Sequence, residues 1–235
     1  MATDNSVNKG LYWTVKSDIW KAFGTLFYGK RNAFMVDLLS ELKQGLVDDN
    51  SSELKLLDIG CGIGDITEKI SDIYNLETIG VDLNKWFLTN SRAIFLIADS
   101  CVLPFKPMSF SVVTAFSLLE HIEEDCRRGF YTEIRKVLTD GGIFAIQLPN
   151  RYFLIEQHSF LPFVGYLPSR LHKLFYYDYV SVPSLKEIIK ELTNCGFSLR
   201  IVKYGIPFQG FPLNNLISKV LPFGFIIIAK KRIQF

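Results

Sequence analysis

Short apolar runs alternate with segments of helical periodicity across the middle of the chain, between residues 54 and 150. There are five of these runs, and four of them are bounded by Gly, Asp or Pro, a pattern typical of strands buried in a parallel sheet. The predicted strands cover 55–59, 78–81, 95–98, 111–116 and 143–148. Apolar residues at helical spacing predict helices over 65–74 and 123–138, the second stopped by Asp140, Gly141 and Gly142. This alternation predicts an α/β fold, with a mostly parallel sheet, helices on both faces and ligands at the carboxyl ends of the strands.

The flanks of this region have their own patterns. Apolar residues recur at helical spacing between residues 16 and 46, which predicts two helices before the first strand. An aromatic segment follows residue 150, and after it we expect a helix over 184–194 and strands over 198–203 and 225–229. We interpret 1–235 as a single domain with an N-terminal helical cap over 1–50, a ligand-binding core over 54–150, and an aromatic lid with the final strands over 151–235.

Composition places the chain among ordinary globular proteins, because 49% of its 235 residues are hydrophobic and 21% are charged. Its four cysteines are far apart with no C-x-x-C pair, so no disulfide framework and no metal site are expected, and a reducing, cytoplasmic location is favoured. The first ten residues are polar and lack the apolar stretch of a signal peptide, and no apolar run is long enough to predict a membrane-spanning helix.

Charge divides the sequence into two unequal parts. Residues 1–150 hold 15 Lys/Arg and 20 Asp/Glu, a net charge of −5, whereas residues 151–235 hold 11 and 4, a net charge of +7. The two parts therefore suit different partners.

A glycine-rich turn joins the first predicted strand to the first helix. In Asp58-Ile59-Gly60-Cys61-Gly62-Ile63-Gly64, glycine occupies alternate positions, which lets the backbone N–H groups approach a ligand closely. A tight turn that binds nothing could also need these glycines. Asp82 ends the second strand and Asp99 follows the third, so carboxylates lie at the same edge of the sheet as the turn, where they can accept hydrogen bonds from a ligand.

Five segments, taken in order, resemble the Rossmann-like (class I) S-adenosylmethionine-dependent methyltransferases. They are LLDIGCGIGDIT, GVDLN, ADSCVLPF, FSVVTAFSLLEHI and VLTDGGIFAIQLPN. Asp65 stands where the dinucleotide fingerprint G-x-G-x-x-G has its last glycine, which disfavours a nicotinamide-binding enzyme. The resemblance implies a doubly wound, seven-stranded, mostly parallel sheet whose antiparallel last strand lies beside the fifth. It also implies S-adenosylmethionine as the cofactor.

The resemblance further implies roles for individual residues near the methionine part of that cofactor. Asp58 would hold the amino end, and the turn residues would border the methionine chain. Phe116 and Ser117, at the end of the fourth strand, would lie beneath the cofactor near the sulfonium. The turn residues in this set are Gly60, Cys61, Gly62 and Gly64.

The adenosine part of the cofactor is assigned in the same way. Asp82 would bind the ribose hydroxyls, and Leu83 would give apolar contact to adenine, as would Trp86 unless it simply packs on a helix. Asp99 would accept from the adenine amino group, with Ser100 and Cys101 lining the ring.

Methyl transfer needs the acceptor atom in line with the S–CH3 bond at roughly 3 Å, so positioning can supply much of the catalysis. A hydroxyl acceptor also needs a base, and histidine is the usual one near neutral pH. Of the three histidines we rank His158 first, with Glu156 as an orienting or assisting carboxylate, because that loop follows the strand end where the acceptor enters. His121, just after the fourth strand, is the next candidate; a surface or capping role is the alternative for each.

Residues 151–179 interleave aromatic with basic side chains, and residues 205–223 form a second aromatic stretch. We interpret the first as a lid over the acceptor that attracts negative charge; a packed cap with a solvated basic rim is the alternative. NRYFLIEQHSFLPFVGYLP is similar to a segment of methyltransferases thought to act on polysaccharides or lipid-linked glycan precursors. We therefore favour O-methylation of a small-molecule or glycan or lipid-linked acceptor, and peripheral membrane contact would suit both aromatic stretches.

Other functions remain open at this point. An RNA methyltransferase would use the +7 charge and the aromatic residues to hold phosphates and stack bases. The Asn/Asp-Pro-Pro-aromatic motif of nucleobase amino-methylating enzymes is, however, replaced here by Phe116-Ser117-Leu118-Leu119, which disfavours methylation of a base amino group but leaves a tRNA or rRNA ribose acceptor open. A non-catalytic cofactor-binding or scaffold protein and an NAD-dependent oxidoreductase are the alternatives outside the methyltransferases.

Overall fold

The structure, a computed structural model, describes residues 54–85, 91–155, 161–168, 171, 181–204 and 220–232. The expected helical cap over 1–50 lies outside these ranges and stays a prediction. Among the described residues, no helix is both long and apolar enough to cross a membrane.

Seven strands and three α-helices make up the described fold. The strands are β1 (Lys55–Ile59), β2 (Glu77–Asp82), β3 (Ile94–Ile97), β4 (Phe110–Phe116), β5 (Leu138–Pro149), β6 (Phe197–Tyr204) and β7 (Gly224–Lys231). The α-helices are α1 (Asp65–Tyr74), α2 (Glu124–Val137) and α3 (Leu185–Asn194), and short 3-10 turns cover Leu119–His121 and Val164–Tyr166. Helix α3 starts with a capping box, in which the Ser184 hydroxyl accepts from the Glu187 N–H and the Glu187 carboxylate accepts from the Ser184 N–H.

All seven strands belong to one sheet with the order β3-β2-β1-β4-β5-β7-β6. Neighbours from β3 to β5 pair in parallel, and β7 pairs antiparallel with both β5 and β6. The chain steps one way along the sheet from β1 to β2 and the other way from β4 to β5. Because crossovers between parallel strands are right-handed, α1 and α2 cover opposite faces. The predicted doubly wound sheet with an antiparallel last strand is confirmed.

The start of β5 differs from its prediction. The strand begins at Leu138, directly after α2, and not at Ile143. Its pairing with β4 is irregular, because Phe110 lies opposite Leu138 while Val112 lies opposite Ile143. The intervening residues form an irregularity within the strand, supported by Lys231, whose ammonium donates to the Leu138 carbonyl at 2.7 Å. Gly141 and Gly142 therefore lie within an irregular strand, and α2 has already ended before them.

The main core lies between the sheet and helices α2 and α3, which cover one face of it. Phe130 and Ile134 of α2 and Ile188 and Leu192 of α3 are fully buried in one cluster with strand residues such as Phe144. These helices are also joined by Arg127, which is 3% exposed and whose guanidinium donates to both oxygens of Glu191 at 3.1 Å. The core fixes the strands whose carboxyl ends carry the candidate site.

Candidate functional site

The carboxyl ends of the parallel strands bring the predicted cofactor residues to one edge of the sheet. Asp58 is the penultimate residue of β1, Asp82 is the last residue of β2, and Asp99 follows β3 by two positions. Phe116 is the last residue of β4, and Ser117 follows it. Since β1 lies between β2 and β4, the glycine turn stands at the centre of this edge. It is also the point at which the sheet's winding reverses, where ligands bind in open α/β sheets.

The N–H groups of the glycine turn donate within the protein. Those of Gly60 and Cys61 both donate to the Val81 carbonyl, at 2.8 and 3.1 Å, and that of Gly64 donates to the Cys61 carbonyl at 2.9 Å. The Gly62 N–H donates to the Asp82 carboxylate at 3.0 Å. From the sequence we expected the N–H groups of the turn to face a ligand. The N–H groups of these four residues instead tie the turn to β2 and to itself.

Side-chain packing explains why two of the turn positions are glycine. A Cβ on Gly60 would lie 2.8 Å from Leu118 Cδ1, and a Cβ on Gly64 would lie 2.5 Å from Phe95 Cζ. Both residues also have positive φ, which L-residues with a Cβ adopt at a cost. Gly62 differs, because it has φ +57 but no atom within 4 Å of its Cβ position. The open side of the turn is therefore at Gly62.

Asp82 links the turn to the end of β2. One carboxylate oxygen accepts from the Gly62 N–H, and the other accepts from the Asn84 N–H at 2.9 Å. Each carboxylate oxygen can accept more than one hydrogen bond, so the half-buried group keeps acceptor capacity for a ligand. Leu83, the next residue in the sequence, is 65% exposed.

Asp58 lies beneath the turn and is 3% exposed. Its two carboxylate oxygens accept hydrogen bonds from the hydroxyls of Thr67, at 2.6 Å, and Thr114, at 2.7 Å. Burial raises the pKa of Asp58 to about 6, although the two threonine hydrogen bonds act in the opposite direction. Sequence reasoning did not single out these threonines; the available signal was a hydroxyl in the middle of the apolar strand β4.

Cys61 is buried within the turn, and its burial, together with the charges of Asp58 and Asp82, raises the pKa of its thiol. A Cβ on Gly80 would lie 3.0 Å from the Cys61 sulfur. The neutral thiol therefore acts as a small packing group between β1 and β2.

Asp99 begins a tight turn after β3. One of its carboxylate oxygens accepts from the Cys101 N–H at 2.8 Å, and its carbonyl accepts from the Val102 N–H at 3.0 Å. Ser100 and Cys101 are half-buried in this turn, while Val102 is 72% exposed. An exposed apolar side chain thus follows β3 as Leu83 follows β2.

The end of β4 carries a strained residue. Ser117 has φ +52, and its hydroxyl donates to Gln147 Oε1 at 2.7 Å. Gln147 is buried in β5 opposite Phe116, which is itself buried. A polar side chain in the middle of a buried strand fixes the backbone turn next to the predicted reaction centre. Gln147 was not among the sequence candidates, although its place inside an apolar run was the signal for it.

The catalytic candidates are only partly within reach of the structure. His121 is exposed at the end of the 3-10 turn that follows β4. His158, Glu156, His172 and Trp86 lie outside the described residues. Glu120, which precedes His121, is fully buried, and its backbone carbonyl accepts a hydrogen bond from the Ser181 N–H at 2.8 Å. The assignment of a base therefore stays a prediction.

Residues 57–146 match the family model described as "Methyltransferase domain". The match covers 90 of the 235 residues, so these residues form a methyltransferase domain, and the sheet order is the one expected for the Rossmann-like (class I) S-adenosylmethionine-dependent methyltransferases.

Three proteins illustrate the similarity. The chain is 29% identical to sterol 24-C-methyltransferase ERG6B of Gibberella zeae over 104 residues, which are 40% of this chain and 27% of that protein. It is 31% identical over 101 residues to a protein of Mycolicibacterium smegmatis named a probable S-adenosylmethionine-dependent methyltransferase, covering 41% of this chain and 38% of that protein. The crystal structure of an S-adenosylmethionine-dependent methyltransferase from Archaeoglobus fulgidus aligns with a TM-score of 0.58 at 18% identity, over 90% of this chain and 99% of that one. The chain thus spans well under half the length of these two curated relatives.

S-adenosylmethionine has chemical groups that fit this edge. Its hydroxyl and amino groups match the accessible carboxylates of Asp82 and Asp99, which can accept hydrogen bonds, and its positive charge is favoured by the buried carboxylate of Asp58. Its adenine has apolar faces that suit Leu83 and Val102, whose exposure is otherwise costly. The open space at Gly62 leaves room beside the turn that any side chain would reduce. The residues present therefore fit the cofactor.

Proposed function

We propose that this chain transfers the methyl group of S-adenosylmethionine to an oxygen atom of a small-molecule or glycan or lipid-linked acceptor. The observation that carries the proposal is the glycine turn, which is held to β2 by Asp82 and has open space beside Gly62. When bound, S-adenosylmethionine supplies an electrophilic methyl group on a sulfonium.

The residues around the turn divide the binding task by chemistry. Asp82 accepts from the ribose hydroxyls and Asp99 from the adenine amino group, while Leu83, Ser100 and Cys101 border the base. Gly60, Cys61, Gly62 and Gly64 border the methionine chain, and Asp58 favours its cationic end from below. Phe116 and Ser117 form the floor nearest the acceptor. These assignments follow the family pattern and the chemistry of each group.

The acceptor class is supported by the segment that follows β5. Tyr152, Phe163 and Tyr166 form an exposed group of rings, with ring centroids 5.5 and 6.2 Å apart for the pairs that include Tyr166. Arg151 lies over the Tyr152 ring, 5.9 Å from its centroid. Aromatic faces suit sugar rings and apolar tails, and the net charge of +7 over residues 151–235 suits a phosphate. His158 and Glu156 would activate the acceptor hydroxyl in this proposal, with His121 as the next candidate.

Cofactor binding tests the first part of the proposal. Isothermal titration and thermal shift with S-adenosylhomocysteine should give saturable binding, whereas NAD should give none. Binding of NAD in place of S-adenosylhomocysteine would support an oxidoreductase, and binding of neither would support a structural role for the turn.

Acceptor screening tests the second part. Methyl-labelled S-adenosylmethionine should transfer label to soluble glycans or to lipid-linked sugars, and His158→Ala should lower turnover while leaving cofactor affinity unchanged. Label in RNA would establish the alternative acceptor class. Full turnover by His158→Ala would remove His158 as the base and leave positioning as the source of catalysis.

A further inference from the structure

Ser117 directs both of its hydrogen-bond donors at one residue, Gln147 of β5. The Ser117 hydroxyl donates to Gln147 Oε1 at 2.7 Å, and the Ser117 N–H donates to the Gln147 backbone carbonyl at 3.3 Å. A hydroxyl has one proton to donate and two lone pairs, and a backbone carbonyl can only accept. Toward every other group, Ser117 therefore presents only oxygen atoms that accept hydrogen bonds and attract positive charge.

Ser117 also lies beside the glycine turn. It follows the last residue of β4, the strand next to β1 in the sheet. The next residue, Leu118, packs so closely on the turn that a Cβ on Gly60 would lie 3.3 Å from Leu118 Cβ. Ser117 is half-buried, whereas Gln147 is 1% exposed, so of these two residues only Ser117 is accessible to a ligand.

The backbone of Ser117 is strained. Its φ of +52 lies in the left-handed region, which residues with a Cβ enter at a cost and glycine enters freely. Backbone preference therefore does not explain a serine at this position. Strained residues that the surrounding structure holds in place are common at functional sites.

Packing does not explain Gln147 either. Its neighbours in β5, Ile146 and Leu148, are fully buried, and the strand continues the apolar core. Burying an amide costs free energy unless it is hydrogen-bonded, and an apolar side chain would fill the same strand position without that cost. The bond to Ser117 is thus the contact that gives this glutamine a role at the carboxyl edge.

We propose that Gln147 orients the Ser117 hydroxyl so that its oxygen faces the sulfonium of S-adenosylmethionine, and that the pair makes the site prefer this cofactor to S-adenosylhomocysteine. The product of methyl transfer has a neutral thioether in place of the sulfonium, so an oxygen at this point attracts the substrate and not the product. The attraction is stronger in a site shielded from water. Ser117 contacts the cofactor, and Gln147 is a positioning residue that acts through it.

This inference rests on the proposed function and deepens it, because it adds discrimination between the bound cofactor and its spent form. Such discrimination would favour release of S-adenosylhomocysteine after each transfer. It needs no knowledge of the methyl acceptor, so it can be tested by cofactor binding alone.

Isothermal titration of the full chain with S-adenosylmethionine and S-adenosylhomocysteine tests the proposal through the ratio of the two affinities. Ser117→Gly removes the hydroxyl and relieves the left-handed strain, so this variant should fold. It should weaken S-adenosylmethionine binding about fivefold while S-adenosylhomocysteine binding changes less than about twofold, as expected for loss of one contact to a charged group. Sinefungin, which has a C–NH3+ group in place of S–CH3, should follow S-adenosylmethionine.

Gln147→Met tests the positioning role. It keeps a side chain of similar length but removes the acceptor of the Ser117 hydroxyl, which is then free to rotate. The ratio of affinities should fall about twofold to threefold, less than in Ser117→Gly, because the hydroxyl oxygen is still present. A purely structural role for Gln147 would lower both affinities together and leave the ratio unchanged.

Met108→Gly is a matched control. Met108 also has positive φ, at 59, but it precedes β4 and lies at the opposite edge of the sheet from Ser117. Glycine relieves the same kind of backbone strain there, and the ratio of affinities should stay at the wild-type value.

Four results would overturn the proposal. An unchanged ratio in Ser117→Gly, or a changed ratio in Met108→Gly, would reject the contact between Ser117 and the sulfonium. An unchanged ratio in Gln147→Met would reject the positioning role of Gln147. Failure of the wild type to bind S-adenosylhomocysteine would reject the proposed function and this inference with it, whereas normal binding with an unchanged ratio in Ser117→Gly would reject this inference alone.

Discussion

The Gly62 N–H donates to the Asp82 carboxylate at 3.0 Å, which ties the turn after β1 to the end of β2. Asp82 therefore has two tasks in our proposal: it fixes the turn, and it accepts from the ribose hydroxyls. The first is a property of the structure, and the second is a prediction that binding measurements can test.

Asp82→Ala should weaken S-adenosylhomocysteine binding by about 1–3 kcal/mol, because the ligand hydroxyls lose their acceptor and the turn loses its tie to β2. Isothermal titration gives the loss directly. Asp72→Ala, which removes an exposed carboxylate on α1, should leave the affinity unchanged. Equal affinities for wild type and Asp82→Ala would show that the ribose assignment is wrong.

Alanine at Gly62 and at Gly64 should separate cofactor binding from stability. Gly64→Ala places its Cβ 2.5 Å from Phe95 Cζ, so the free energy of unfolding should fall by about 2–4 kcal/mol from overpacking and left-handed strain. Gly62→Ala meets no atom, so only the left-handed strain of about 1–2 kcal/mol applies, while the added methyl group obstructs the cofactor. Chemical denaturation and titration with S-adenosylhomocysteine measure the two effects. A normal cofactor affinity in Gly62→Ala would place the binding site elsewhere.

Asp58 predicts a pH dependence of stability. Burial raises its pKa from the ordinary value of 3.8 to about 6, so the folded state favours the protonated carboxyl. Its contribution is fully present below about pH 4 and is lost as the pH rises through about 6, a change of about 3 kcal/mol. Asp58→Asn should lack this loss, so its free energy of unfolding should rise relative to wild type between pH 4 and pH 7.

The same variant separates stability from binding. Asp58→Asn should bind S-adenosylmethionine more weakly at pH 7, because the negative charge that favours the cationic methionine end is gone. Denaturation across the pH range and titration at pH 7 check both effects. Parallel pH profiles for variant and wild type would argue against a raised pKa for this carboxyl.

The hydrogen bond between Ser117 and Gln147 should be measurable as a coupling energy. Ser117→Ala and Gln147→Leu each remove one partner, and each should lower the free energy of unfolding by about 1–3 kcal/mol. In a double-mutant cycle the two substitutions should couple by about 1 kcal/mol. Either substitution alone already breaks the hydrogen bond, so adding the other does not remove it a second time. Strict additivity would mean that the bond contributes little to the conformation of this turn.

The fold was largely predictable because its strands are apolar runs, of which the first three are followed by or end in Gly or Asp. β1 and α1 match their predicted bounds, and the position of the antiparallel last strand followed from the family pattern. The start of β5 was not predictable from local sequence, since its first residues are held by pairing with Phe110 and by Lys231, which is distant in the chain. Tertiary contacts decide that boundary, and local propensity does not.

The residues of the candidate site were predictable, but their contacts were not. The sequence contains glycine at positions 60, 62 and 64, but the structural reason for glycine differs among them. Leu118 crowds Gly60 and Phe95 crowds Gly64, whereas the space beside Gly62 is open. These neighbours are tens of residues away in the sequence: Phe95 lies in β3, and Leu118 follows β4. The two threonines that hold Asp58 and the glutamine that holds Ser117 were missed for the same reason, because hydrogen bonds between neighbouring strands, or from a helix to a strand, leave no spacing pattern along the chain.

The position of β7 has a consequence for how the molecule is made. β6 has β7 as its neighbour in the sheet, and β5 has β7 on one side, yet β7 follows both in the sequence. During synthesis, both strands leave the ribosome before the strand that joins them, so the sheet edge of β5 and all of β6 wait without their backbone partner. Closing this gap requires β7 to pair with both β5 and β6, and its pairing with β5 joins residues at least 75 positions apart in the sequence, a separation that slows folding. Completion of the sheet therefore depends on the strand that is synthesised last.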